Sequence, residues 1–132
     1  DMCNFITIID EQTANWSRDE ANDLMTNWLS SGDEFDAVFG NNDEMALGAI
    51  QAMKASGISM DDVVVGGVDA TSDALLAMSA GDMDVTVVQD LAGQGAGSIE
   101  TAMALVKGED VDKTVFIPFK LVTPENLADF IQ

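Results

Sequence analysis

Apolar and polar positions along this chain follow two periods in turn. Short runs of β-branched and other apolar residues at 5–9, 37–40, 63–68, 84–88 and 114–121 read as strands, and most of the stretches between them repeat at the helical spacing. The first of these, residues 17–29, places Ala21, Leu24, Met25, Trp28 and Leu29 on one face, with Ser17 and Glu20 spaced as a capping box. The second, residues 43–55, turns Met45, Ala46, Ala49, Ile50 and Met53 inward, and Gly57 stands where a C-terminal cap belongs. A third, residues 72–80, carries Leu75, Leu76 and Met78 and stops at Gly81. A fourth, residues 91–107, carries Ile99, Met103 and Val106 and stops at Gly108. Thr123 before Pro124 reads as an N-cap with proline at the first helical position, which predicts a short helix over residues 124–131 with Leu127, Phe130 and Ile131 facing inward. Alternation of this kind is the pattern of an α/β fold in which crossover helices cover a parallel sheet.

Composition narrows the function more than the fold. The chain has 132 residues, 47% of them hydrophobic, enough for one domain with a real core. Lys and Arg number 5 against 24 Asp and Glu, and a net charge of -19 repels nucleic-acid phosphates and anionic lipid, so no nucleic-acid partner is expected. Cys3 stands alone and the chain has no His, which excludes an intrachain disulfide and a zinc site of the usual nitrogen and sulfur ligands. No run approaches the roughly 18 apolar residues that span a bilayer. The first residues lack the basic region of a signal peptide and lead straight into an apolar strand pattern, so any export signal lies upstream and the chain reads as a piece of a longer polypeptide.

Catalytic chemistry finds little footing. Gly93-Gln94-Gly95-Ala96-Gly97 follows a strand and opens a helix, but a dinucleotide fingerprint needs glycine where Ser98 stands. There is no phosphate-loop lysine, no nucleophile elbow and no histidine base, while Asp61-Asp62 and Glu109-Asp110 fall in predicted turns. No enzyme activity, cofactor or metal is expected.

Ligands of open parallel sheets bind beyond the carboxyl ends of the strands. There the chain places Asp10 and then Trp16, Asn41 and Asn42, Asp69, and Gln89 with Asp90. Planar amides and carboxylates suit sugar hydroxyls, which both donate and accept, and an aromatic ring covers the apolar face of a sugar. Trp16 sits off the apolar stripe of the first helix and suits that role, whereas Trp28 lies on the stripe and is core. Each residue also has a plainer reading. Asn42 or Asp43 can cap the second helix, Asp69 can serve a turn toward Ser72, and Asp10 and Asp90 read more readily as structural.

Residues 38–49, Val38-Phe39-Gly40-Asn41-Asn42-Asp43-Glu44-Met45-Ala46-Leu47-Gly48-Ala49, resemble the most characteristic stretch of the periplasmic monosaccharide-binding proteins of the ribose and galactose/glucose type. Val64-Val65-Gly66-Gly67-Val68-Asp69-Ala70 is similar to a second segment of that family, Val85-Thr86-Val87-Val88-Gln89-Asp90 to its strand crossing between lobes, and residues 121–130 to its closing segment. The resemblance implies a doubly wound sheet of periplasmic binding protein type I, mostly the carboxyl-terminal lobe, with the amino-terminal lobe missing. It implies ligand-binding roles for Trp16, Asn42, Asp69 and Gln89, positions already singled out at the strand ends. Arg18 is not the equivalent of the family's ligand-binding arginine, which would precede this chain. By the family's topology residues 1–89 belong to the carboxyl-terminal lobe, 90–119 form a helix and strand lent to the missing lobe, and 120–132 return. The implied activity is capture of a monosaccharide or cyclitol for an ABC transporter permease, in the periplasm or otherwise outside the cytoplasmic membrane. A LacI-type repressor core, with DNA-binding helices upstream, is the second reading, and a flavodoxin-like domain the third.

Overall fold

A computed structural model describes residues 5–131. Its elements are α1 (Arg18–Ser31), β1 (Ala37–Phe39), α2 (Asp43–Ala55), β2 (Val64–Gly66), α3 (Ser72–Ser79), β3 (Thr86–Val88), α4 (Leu91–Lys107) and β4 (Lys120–Val122), with single 3-10 turns at Met60–Asp62 and Leu127–Asp129. The helix ends follow the local chemistry closely. Ser17 Oγ accepts from the Glu20 N–H, which is one half of the expected capping box. The other half is absent, because the Ser17 N–H is already bonded to the Ala14 carbonyl and the Glu20 carboxylate takes the Asn15 amide instead. Asp90 accepts from the Gly93 N–H at the start of α4, and Gly108, at φ 77°, closes its end in the left-handed conformation that glycine adopts without penalty.

Strands β1 and β2 pair in parallel with Val38 opposite Val65. A parallel bridge between Gly66 and Val85 carries the sheet on toward β3, and β3 pairs with β4 in the antiparallel sense, Thr86 opposite Val122. Alternation then sorts the side chains. Val65 and Val122 point into the core with Val38 packed against it, while Phe39, Val64 and Leu121 lie on the opposite face and stay exposed. Helix α2 fills the centre of the covered face with Ala46, Leu47, Ala49, Ile50, Ala52 and Met53, joined by Met25 from α1 and by Ala74 and Met78 from α3. Each large apolar side chain buried this fully contributes roughly 1.5 to 3 kcal/mol.

Several elements depart from expectation. Residues 5–9 form no strand, and Phe5, Ile6, Ile8 and Ile9 are exposed; a strand needs a neighbour to take its backbone groups, and these residues pair with none among those described. Of the strand expected over 114–121, only its end enters a ladder, as β4. Residues 124–131 form a turn followed by one 3-10 turn rather than an α-helix, since Asn126, not Thr123, organises them: its side chain accepts from the Thr123 N–H and donates to the Leu121 carbonyl. Leu127 is nevertheless buried and Phe130 packs on the core, whereas Ile131 is exposed. Leu76, expected inside, also faces out. Helix α4 forms over the residues expected, but buries none of them.

Candidate functional site

The carboxyl ends of β1, β2 and β3 deliver the candidate residues to one edge. After β1, Asn42 is the N-cap of α2, its Oδ1 accepting from the Met45 N–H at 3.0 Å, and its Nδ2 has no protein partner among the described residues. After β2, the chain turns through Asp69 and Ala70 at φ 119° and 54°, a region that side chains other than glycine seldom occupy. After β3, Gln89 donates from Nε2 to Asp69 Oδ1 at 2.7 Å. Asp69 and Gln89 are thus joined directly, and the Asp69 N–H is bonded to the Val87 carbonyl at 2.8 Å, two residues before Gln89.

Trp16 reaches the same end of the molecule by another route. It precedes α1 in a turn where both Asn15, at φ 51°, and Trp16, at φ 57°, are left-handed, and its ring is 72% exposed. Two residues on, Arg18 grips Glu44 through Nε and Nη2, each at 2.9 Å, and Asp73 through Nη2 at 2.8 Å. Glu44 and Asp73 lie in the first turns of α2 and α3, so this fork ties the starts of three helices together beside the Asn42 and Asp69 loops. Bonding first to Glu44 and then to Asp73 raises the guanidinium above its already high ordinary value and keeps it charged. Asp10 and Asp90 have local roles: Asp10 accepts from the Glu11 N–H, and Asp90 caps α4.

Asp43, read in the sequence only as a possible cap of the second helix, leaves that role to Asn42 and takes another. It is fully buried, its Oδ1 accepting from Thr86 Oγ1 and its Oδ2 from the Thr71 N–H, both at 2.7 Å. Burial raises its carboxyl above the ordinary aspartate range, against the opposing bonds from Thr86 and Thr71. The available signal was Thr86, a hydroxyl in an otherwise apolar strand. Chemically, Asp69, Asn42, Gln89 and Trp16 offer a carboxylate, two amides and an exposed indole, donors, acceptors and an apolar face whose chemistry is complementary to hydroxyl-rich molecules.

Residues 3–110 match the family described as periplasmic binding protein domain, and the chain belongs to that family. It is 64% identical over 130 residues to a putative rhizopine-binding protein of Rhizobium meliloti, covering 98% of this chain and 42% of that protein. Among solved structures, an ABC transporter solute binding protein of Bacillus halodurans with bound myo-inositol superposes with a TM-score of 0.84 at 51% identity, over 96% of this chain and 44% of that one. A Caulobacter myo-inositol binding protein bound to myo-inositol gives 0.83 at 34%, over 96% and 44%. The fold is therefore the α/β type of the periplasmic binding proteins, and these relatives are binding proteins. The chain spans about two fifths of their length.

Proposed function

We propose that this chain supplies one wall of the ligand site in an extracytoplasmic receptor for a cyclitol or monosaccharide, working with an ABC importer. The observation that carries the reading is the Asp69 and Gln89 pair, set at the ends of neighbouring strands and held at 2.7 Å with Asp69 in a left-handed turn. Paired planar groups in fixed directions are what vicinal hydroxyls require, and the exposed Trp16 ring supplies an apolar cover for a ligand ring. Asn42 contributes its Nδ2, which has no protein partner among the described residues. A cyclitol is favoured over an aldose, because the solved structures at 51% and 34% identity both hold myo-inositol.

The domain assignment belongs to the same proposal. Residues 1–89 and 120–132 form part of the carboxyl-terminal lobe, and 90–119 pack against an amino-terminal lobe, which would cover the exposed side of α4 and complete the site. The protein acts as a periplasmic or lipid-anchored receptor that presents closed lobes to a permease, with hinge dihedrals changing near Gln89 and Phe119. All the relatives reported above are binding proteins, which favours the receptor over a repressor core. Isothermal calorimetry of the full-length protein against myo-inositol, xylitol, ribose and galactose tests the reading. Saturable heat, largest with the cyclitol, is expected, and no heat with any of them refutes it.

A further inference from the structure

The loop that carries Asp69 is wrapped around the buried Asp43 carboxylate. The Asp43 N–H donates to the Val68 carbonyl at 2.8 Å, before Asp69, and Asp43 Oδ2 accepts from the Thr71 N–H at 2.7 Å, after it. Between these points the Ala70 N–H donates to Thr86 Oγ1 at 3.1 Å, and that hydroxyl in turn donates to Asp43 Oδ1 at 2.7 Å. Gly67 leaves the space: a Cβ there would lie 2.5 Å from Asp43 Oδ1 and 2.6 Å from Met83 Cε. The clamp thus closes on both sides of Asp69 and Ala70, the two residues of this loop at positive φ.

We infer that Asp43 and Thr86 are positioning residues, which hold the Asp69 carboxylate in its strained turn and so set the ligand affinity of the site. The inference rests on the ligand role proposed above for Asp69. Burying a carboxylate is a poor way to join α2, β3 and a loop for stability alone, because a well-packed apolar pair does so without the desolvation cost. A left-handed turn at two non-glycine residues persists only where its surroundings over-determine it; Asp69 is bonded to Val87 and Gln89, while the bonds that flank it, at Val68, Ala70 and Thr71, converge on Asp43 directly or through Thr86.

The test uses the full-length protein, with myo-inositol as the probe and binding measured well below the melting temperature. Thr86→Val keeps the shape and removes the hydroxyl; affinity is expected to fall at least tenfold, while Thr86→Ser restores it to near the wild-type value. In an Asp69→Ala background, where the positioned group is gone, Thr86→Val should cost little more, whereas a purely structural role would add the same factor again. Should Thr86→Val fail to fold, amide exchange in the wild type decides: the Ala70 and Thr71 amides must be strongly protected, and exchange at the rate of an open loop overturns the clamp. Wild-type protein that binds no myo-inositol or any of the other polyols refutes the ligand site itself. A wild type that binds, with Thr86→Val binding equally well, refutes the clamp alone.

Discussion

Trp16 and Asp69 share an unusual backbone, each standing in a turn with two successive residues at positive φ. Neither turn contains glycine; the Trp16 turn is held by short-range bonds among Thr13, Ala14, Asn15, Ser17 and Glu20, the Asp69 turn by bonds to the distant Asp43, Thr86 and Val87. With 72% of its surface exposed, Trp16 contributes little to packing. Trp16→Ala in the full-length protein should therefore shift stability by no more than about 0.5 kcal/mol. Loss of a stacked ring should weaken cyclitol binding by about 1 kcal/mol, roughly fivefold. Calorimetry beside a thermal melt separates the two; unchanged affinity excludes stacking. The exposure of Trp16 was legible because it falls off the apolar stripe of α1. The burial of Asp43 was not, because an aspartate at a helix start has the same local spelling whether it faces water or a buried hydroxyl.

At the next scale, helices α1 and α2 approach so closely that a Cβ on Gly48 would strike the Arg18 carbonyl oxygen and lie 3.0 Å from the Ala21 Cβ. In an open helix Gly→Ala gains about 1 kcal/mol. Here Gly48→Ala should instead destabilise by about 1 to 3 kcal/mol, because two backbones must separate. Urea unfolding checks the sign, and an increase in the midpoint contradicts the close packing. Asp43 links α2 to β3 and the β2 to α3 loop with a titratable group. Burial raises its folded-state pKa above the unfolded one, so the folded state binds the proton more tightly. The stability this group contributes therefore rises as pH falls through the raised value and levels off below the ordinary aspartate range. Measured as wild type minus Asp43→Asn across a pH series, the difference should grow toward acid; a difference that shrinks or stays flat shows that burial does not dominate. The boundaries of α2 and α4 could be read from their caps, since capping bonds are local. Residues 5–9 could not be read correctly, since a ladder requires a neighbouring strand and periodicity does not reveal whether one is there.

For the whole molecule the telling feature is α4. Ile99, Met103 and Val106 lie at i, i+4 and i+7 and remain 64%, 55% and 88% exposed, while the Phe39 and Val64 face of the sheet is open as well. Apolar stripes of this kind promote association. A polypeptide of these 132 residues alone should sediment above its monomer mass with increasing concentration, and Ile99→Glu with Val106→Glu should return it toward monomer. A cooperative, concentration-independent monomer would show that the stripe needs no cover. By itself the sequence determined the order of α1 to α4 with β1 to β3 between them, the caps of α2 and α4 and the row of polar residues beyond those strands, because caps, periodicity and strand ends are short-range properties. The tertiary structure decided that Asp69 meets Gln89, that Asp43 is buried beneath their loop, and which apolar faces are covered. Those outcomes depend on contacts between residues far apart in the chain, such as Asp43 with Thr86, and no local pattern specifies them.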